Sequence, residues 1–287
     1  MSLATNLATN LERRSEQACF GGRIGFYTHR SESTSSDMRF AVYLPPQAAH
    51  GKVPALYYLA GLTCTEETFL IKAGALRLAA EYGLALVACD TSPRGLNLPG
   101  DAEAWDFGVA AGFYLDATAA PWSANYRMGG YINEELPALV EKHFAVSAER
   151  RGIFGHSMGG HGALVSALRH PTHWHSVSAF APICNPVAVP WGKKAFGNYL
   201  GADQKSWEAW DASLLMRRNA YPGAILVDQG QADQFLVEQL QLQALEAAAA
   251  VSGQALTLRR HEGYDHSYWF IQTFIGDHLA HHAKNLL

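Results

Sequence analysis

The feature of this sequence that most constrains its fold is the alternation of short strand-forming runs with helical patterns. Runs rich in β-branched or aromatic residues, each bounded by turn residues, predict eight strands, at 23–29, 38–44, 55–59, 84–88, 152–154, 177–180, 224–227 and 255–259. Helical patterns separate the later runs, at 66–82, 131–144, 158–170, 206–215, 234–251 and 267–282. Strands that alternate with helices predict an α/β protein whose mostly parallel sheet carries helices on both faces.

The first two strand runs have no helix between them. They are predicted to pair as an antiparallel hairpin at one edge of the sheet, joined through the polar turn at 31–36. The expected sheet is therefore mixed, with eight or nine strands. The one long irregular stretch, 91–127, is rich in Gly, Pro and aromatic residues, and segments of this kind commonly shape binding sites.

Length and composition suit one globular domain spanning residues 1–287, in which residues 1–16 are expected to form a poorly structured N-terminal extension. The chain is 48% apolar and 17% charged, which provides for a large core. Its formal net charge of −4, without a basic stripe, argues against a nucleic-acid partner. The N-terminus lacks the apolar stretch of a signal peptide and no run of 18 apolar residues occurs, so no membrane association and a cytoplasmic location are predicted.

The cysteine and histidine patterns predict no metal site. The four cysteines lie far apart without a C-x-x-C pair, which indicates reduced thiols at Cys19, Cys64, Cys89 and Cys184. Near the C-terminus, His278, His281 and His282 have the spacing of metal ligands on one helix face. A solvated helix end explains these histidines more simply.

The segment Gly155-His156-Ser157-Met158-Gly159 fits the pattern G-x-S-x-G, which alone is weak because short patterns match by chance. Its context strengthens it, since the segment follows a short strand run and opens a helical pattern that ends before Pro171. A strand, sharp turn and helix of this kind expose a nucleophilic serine, and the flanking glycines leave room that a Cβ atom would fill. Ser157 is the predicted nucleophile.

A serine hydroxyl needs a general base, and the base needs a carboxylate that orients it. His266 lies between the last strand run and the last helical pattern and is the predicted base, whereas its rival His261 still belongs to the strand run. For the carboxylate, Asp228 and Asp233 both follow the strand at 224–227, and spacing does not decide between them, although Asp233 lies deeper in the loop. Asp265 ranks third because adjacent side chains seldom face each other.

Two backbone N–H groups are needed to stabilise the oxyanion that forms during acyl transfer. The residue after the nucleophile, Met158, is expected to supply one of them. The loop after the third strand run, 61–64, is expected to supply the other. Gly61 lets the backbone turn there, so the Leu62 amide is the candidate.

At these residues the sequence strongly resembles the S-formylglutathione hydrolase family, also called esterase D. The segments that carry the resemblance extend from about residue 17 to the C-terminus and together are very specific: AGLTCT at 60–65, WDFG at 105–108, AGFY at 111–114, GHSMGGHGA at 155–163, NP at 185–186, PWG at 190–192, DQG at 228–230, ADQFL at 232–236 and GYDHSY at 263–268. Departures are small, with Ala60 where Ser is expected and Gln231-Ala232 where Lys and Asp are usual. They bear on rate and substrate preference more than on the chemistry.

The resemblance implies an α/β-hydrolase fold, a triad of Ser157, Asp233 and His266, and oxyanion amides at Leu62 and Met158. It thereby selects Asp233 over Asp228, where spacing could not. The implied reaction is hydrolysis of S-formylglutathione to glutathione and formate through a formyl-enzyme intermediate, the last step of glutathione-dependent formaldehyde detoxification. No cofactor is implied, and a homodimer is, because members of the family often form dimers.

A formyl group is small, so a pocket that favours it must be closed by bulky side chains. The candidates are Trp105, Phe107 and Trp191, and Cys64 is expected near the acyl pocket because it lies two residues beyond the predicted oxyanion amide. The alternative function is a general short-chain carboxylesterase, which would need no glutathione site. Acyl transfer to an acceptor other than water and a catalytically inactive binding module are weaker alternatives, because all three triad residues are present.

Overall fold

The structure, a computed structural model, describes residues 11–287, and its nine strands form one continuous sheet. The strands are β1 (Glu12–Cys19), β2 (Gly22–Ser31), β3 (Ser36–Leu44), β4 (Val53–Leu59), β5 (Ala85–Cys89), β6 (Val146–His156), β7 (Ser176–Phe180), β8 (Ile225–Gly230) and β9 (Leu256–His261). Their order in the sheet is β1-β2-β3-β5-β4-β6-β7-β8-β9. The first three strands and the β3–β5 pair are antiparallel, and every other pair is parallel.

All eight predicted strands are present, and β2 and β3 form the predicted antiparallel pair. The prediction of an N-terminal extension over residues 1–16 is wrong for residues 12–16, which belong to β1, and residues 1–10 lie outside the described residues. For the same reason the β2–β3 hairpin is not the edge of the sheet. The sequence of β1, ERRSEQAC, lacks alternating apolar residues because almost all of this strand is exposed.

Ten α-helices fill the connections. They are α1 (Thr68–Lys72), α2 (Leu76–Tyr82), α3 (Met128–Gly130), α4 (Leu136–His143), α5 (Met158–Arg169), α6 (Pro190–Tyr199), α7 (Gln204–Trp207), α8 (Ala212–Arg218), α9 (Leu242–Ser252) and α10 (Tyr268–Leu286). Short 3₁₀ turns occur at Pro46–Ala49, Trp122–Ala124, Pro186–Ala188 and Glu208–Trp210, and π-turns at Tyr131–Glu135 and Leu236–Leu240. The helix predicted at 66–82 is divided into α1 and α2 by Gly74, which has φ +67°.

The C-terminal helix α10 packs against the centre of the sheet, so the expectation of solvated histidines at its end is wrong. His278 and His282 are fully buried, and the Ser178 hydroxyl lies within hydrogen-bond distance of both rings, at 2.8 Å and 2.9 Å. His281 lies 3.1 Å from the backbone oxygen of Val177. These histidines hydrogen-bond to β7 because a helix that covers the sheet must pair its buried polar groups.

The central parallel strands are buried on both faces, as expected of a sheet covered by helices on each side. Together with a helix that begins directly after β6, this arrangement is the predicted α/β-hydrolase fold. No helix within residues 11–287 is both long and apolar enough to cross a membrane.

Candidate active site

Ser157 lies on the sharp turn between β6 and α5, at the carboxyl end of the central strand. Its backbone has φ 58° and ψ −119°, a conformation that non-glycine residues rarely adopt, and such strain concentrates at functional positions. The flanking glycines have the packing role expected of them. A Cβ atom on Gly155 would lie 2.3 Å from the Gly159 carbonyl oxygen, and one on Gly159 would lie 1.9 Å from the Leu59 carbonyl oxygen.

Asp233 and His266 meet across the loops that follow β8 and β9. The Asp233 Oδ2 atom lies 2.5 Å from His266 Nδ1, the ring nitrogen that an orienting carboxylate contacts in a catalytic triad. Asp233 is itself held in place, because its carboxylate accepts hydrogen bonds from the Gln229 side chain at 3.0 Å and the Phe235 amide at 2.8 Å.

The competing carboxylate, Asp228, has other partners. Its two oxygens accept hydrogen bonds from Arg259 at 2.7 Å and 2.6 Å, and His278 Nε2 lies 3.3 Å away. Although burial opposes ionisation, the contacts with His278 and Arg259 hold the pKa of Asp228 well below its ordinary value. Asp228 is thus an ionised structural group that joins β8 to β9 and α10.

The two remaining alternatives also have structural surroundings. His261, the rival base, stacks on Phe274 with ring centroids 3.7 Å apart, and its Nε2 atom lies 3.4 Å from Asp228. Asp265 accepts hydrogen bonds from the amide and hydroxyl of Ser267, the residue that caps α10. These bonds lower the pKa of Asp265.

A cavity of about 300 Å³ brings Ser157 and His266 together. Its lining consists of Gly61, Leu62, Thr63, Cys64, Thr68, Lys72, Trp105, His156, Ser157, Trp191, Phe235, His266 and Tyr268. Within the described part of the chain no direct hydrogen bond joins the serine hydroxyl to the imidazole, and such contacts commonly tighten only when substrate binds. A larger groove of about 720 Å³ lies beside β1 and β2, but none of its described lining residues is a serine or cysteine.

The loop after β4 lies directly against the nucleophile. A Cβ atom on Gly61 would lie 3.2 Å from the Cβ of Ser157, so the Leu62 amide follows a point of very close approach. Met158 is the first residue of α5, and its amide has no acceptor one turn earlier in the helix. Neither the Leu62 nor the Met158 amide donates a hydrogen bond to any other residue in the range 11–287. Both amides are free to bind an oxyanion.

Comparison with known proteins places this site in a family. Residues 31–281 match the family described as "Putative esterase". An S-formylglutathione hydrolase of Mus musculus is 54% identical over 96% of this chain and 99% of its own, and that of Paracoccus denitrificans is 52% identical over 96% and 98%. The chain belongs to the S-formylglutathione hydrolase family. A solved S-formylglutathione hydrolase structure from Agrobacterium tumefaciens has a TM-score of 0.94 and 47% identity, covering 96% of this chain and all of its own.

The departures from the S-formylglutathione hydrolase pattern fall where the backbone carries the contacts. The Ala60 carbonyl accepts a hydrogen bond from the buried Tyr114 hydroxyl at 2.9 Å. The amides of Gln231 and Ala232 donate to the carbonyls of His261 and Tyr264. A different side chain at these positions leaves the bonds in place.

In this member of the S-formylglutathione hydrolase family, two aromatic rings that sequence reasoning missed enclose His266. The His156 ring centroid lies 4.4 Å from that of His266, and Phe235 meets His266 edge-on at 5.0 Å. Burial, and then repulsion by His266, hold the pKa of His156 well below its ordinary value, so its ring is neutral. The signal for His156 was available, since it is the second residue of the G-x-S-x-G pattern.

Three of the four predicted pocket residues, Cys64, Trp105 and Trp191, line the cavity. The two tryptophans meet edge-on with ring centroids 5.5 Å apart. The prediction for Phe107 is wrong. Phe107 is buried and stacks on Tyr199 at 4.8 Å, where it supports the irregular stretch from behind rather than facing the described cavity.

Proposed function

We propose that this protein hydrolyses S-formylglutathione to glutathione and formate, the last step of glutathione-dependent formaldehyde detoxification. The observation that carries the proposal is the identity of about half of all residues over the full length of proteins named S-formylglutathione hydrolase. The cavity that holds Ser157 and His266 supports it, because hydrolysis of a thioester through a serine needs no bound cofactor.

In the proposed mechanism the Ser157 hydroxyl attacks the formyl carbonyl while His266 Nε2 takes its proton. Asp233 at Nδ1 selects the ring tautomer that leaves Nε2 free and stabilises the imidazolium that forms. The amides of Leu62 and Met158 bind the oxyanion of the tetrahedral intermediate. As the intermediate collapses the carbon–sulfur bond breaks, and His266 returns its proton to the glutathione sulfur.

The product of this first half is a formyl ester on Ser157. His266 then deprotonates a water molecule, which attacks the ester carbonyl at the same position. A second tetrahedral intermediate collapses, formate leaves, and the proton returns to the Ser157 oxygen. Each half-reaction uses the same groups, so loss of any one of them stops both.

The alternative, a general short-chain carboxylesterase, uses the same triad and differs in substrate preference. The aromatic wall of Trp105 and Trp191 favours the proposal, because it limits the room beside the nucleophile. An additional methylene that fits poorly lowers kcat/KM by roughly 10- to 200-fold.

The test is the series of formyl, acetyl and butyryl thioesters of glutathione, with a p-nitrophenyl ester for comparison. We expect kcat/KM of the purified protein to fall steeply along the series and to be highest for S-formylglutathione. Flat or rising values would reject a formyl-sized pocket and favour the carboxylesterase.

The proposal includes a small-molecule substrate, a homodimer and a cytoplasmic location, and it includes no nucleic-acid partner. Light scattering on the purified protein tests the homodimer, and fluorescence of a tagged chain in cells tests the location. A monomeric mass at micromolar concentration would contradict the predicted dimer without affecting the proposed reaction.

A further inference from the structure

Lys72 is the last residue of α1 and projects along the same helix face as Thr68, four positions earlier, so that both line the cavity. Its side chain is exposed, and its Nζ atom lies 5.8 Å from the centre of the Tyr268 ring. Within residues 11–287 no carboxylate lies within 4.0 Å of Lys72 Nζ. This ammonium group is therefore available to an anion from outside the chain.

The rest of the cavity lining offers no competing charge. Apart from the imidazoles of His156 and His266, its other residues are neutral. The acidic residue beside Trp105, Asp106, is already paired with Lys194 at 2.5 Å. A substrate that enters past Trp105 thus meets one unpaired cation, on the opposite side of the cavity from the tryptophan wall.

The glutathione part of the proposed substrate has the matching charge. It carries two carboxylates and one ammonium group, one carboxylate at each end of the tripeptide, and its sulfur is on the central residue. When the formyl carbon lies at Ser157, both carboxylates project beyond the acyl pocket toward the cavity mouth, because a residue of extended chain spans about 3.3 to 3.6 Å. A neutral ester has no group at this distance.

We propose that Lys72 binds a carboxylate of the glutathione moiety and so distinguishes S-formylglutathione from uncharged esters. The inference rests on the proposed function above. Lys72 acts on binding and not on the reacting atoms, and its contact exists equally in the ground state and the transition state. Its removal therefore raises KM more than it lowers kcat.

The expected effect is moderate because the side chain is exposed. Exposed ion pairs alter an equilibrium constant by about 1.4- to 5-fold, and reversal of the charge has a larger effect. We expect KM for S-formylglutathione to rise about 3- to 5-fold in Lys72→Met and on the order of 10-fold in Lys72→Glu. The kcat/KM ratio of S-formylglutathione to p-nitrophenyl acetate should fall to the same extent.

The matched control is Lys205→Met, which removes the same charge from an exposed position on α7 outside the cavity lining. It should leave the ratio unchanged. Salt provides a second measurement: 0.5 M NaCl should raise the KM of the unsubstituted protein for S-formylglutathione and leave that of Lys72→Met nearly constant, because screening weakens only the pair that is present.

An unchanged ratio in Lys72→Met, or an equal loss with both substrates, would overturn the role of Lys72 while leaving the proposed function intact. Failure of the unsubstituted protein to turn over S-formylglutathione, together with hydrolysis of p-nitrophenyl acetate, would overturn both.

Discussion

Ser157, Asp233 and His266 come from three separate turns and are expected to act as one unit. Replacement of Ser157 or His266 by Ala should each abolish nearly all turnover while leaving the fold intact, because the effects of such residues are not additive. Asp233→Asn should lower kcat on the order of 10⁴-fold by leaving the imidazole in the wrong tautomer. Steady-state kinetics on the folded variants checks these values.

The neighbouring carboxylate provides the control. Asp228→Asn removes the ion pair with Arg259 and should lower the thermal midpoint, since breaking a buried pair leaves a charge without its partner. The residual activity of the folded variant should stay near that of the unsubstituted protein. Normal turnover in Asp233→Asn combined with an inactive but folded Asp228→Asn would show that the acid is Asp228.

Cys64 is expected to make the enzyme sensitive to thiol reagents, although the thiol has no chemical role. It lines the cavity beside Ser157, so an alkyl group there blocks substrate. Burial raises the pKa of this thiol, so inactivation by iodoacetamide should be slow at pH 7 and faster at higher pH. Cys64→Ser should remain active and resist the reagent.

Cys19 provides the comparison, because it is the other thiol that is not buried and it lies on β1 away from the cavity. Cys19→Ser should be inactivated like the unsubstituted protein. If iodoacetamide still inactivates Cys64→Ser, another group is responsible.

At the scale of single residues, the sequence was sufficient for Ser157 and His266 because both lie in motifs with their own local geometry. It could not separate Asp228 from Asp233 by spacing, since the difference depends on Arg259 and His278, which are distant in sequence. The error at Phe107 has a similar cause. An aromatic residue in an irregular segment has the same local pattern whether it faces a cavity or the core.

At the scale of elements, the buried strands were predictable because apolar runs leave a clear pattern in the sequence. The exposed edge strand β1 was not, because its stability derives from hydrogen bonds to β2 rather than from burial of its own side chains. The break between α1 and α2 and the helix α6 were also missed. Tertiary packing decides such boundaries more than local propensity does.

The contact between α5 and the irregular stretch is expected to control the oxyanion loop. A Cβ atom on Gly162 would lie 2.7 Å from the Tyr114 ring, whose hydroxyl holds the Ala60 carbonyl. Gly162→Ala should therefore lower stability by about 1 to 3 kcal/mol through overpacking and should also lower kcat by displacing the loop. Urea denaturation and steady-state kinetics measure the two effects.

Gly197 on α6 is the matched helical glycine, because a Cβ atom there would come no closer than 3.9 Å to its nearest neighbour, Trp207. Gly197→Ala should stabilise the protein by up to about 1 kcal/mol through helix propensity and leave kcat unchanged. Equal behaviour of the two variants would show that the Tyr114 contact has no special role.

At the scale of the whole molecule, the structure stores several neutral histidines in its interior. Burial lowers the pKa of His156, His161, His278 and His282, that of His161 to about 3. In the unfolded chain these groups titrate near pH 6.5, so below that pH the unfolded state binds more protons than the folded state. Stability is consequently lost as pH falls below about 6.5.

From pH 7 to pH 5.5 each of these histidines lowers the free energy of unfolding by roughly 1.3 kcal/mol. The Asp211 carboxyl, whose pKa burial raises to about 6, opposes them but is a single group. We expect a net loss on the order of 4 kcal/mol, measured by urea denaturation at the two pH values. His161→Gln should reduce the difference and exposed His50→Gln should not, whereas equal stability at both pH values would contradict this account.

The position of β1 has a consequence for how copies of this protein can associate. Strand edges invite another strand, and proteins discourage this with charges and bulges. Within residues 11–287 no strand lies beyond β1, which carries Glu12, Arg13, Arg14 and Glu16 and is bulged between Arg13 and Ser15. A second copy would bring identical charges to the same row of backbone groups. A homodimer of this chain is therefore expected to form through side-chain surfaces, with the two sheets remaining separate.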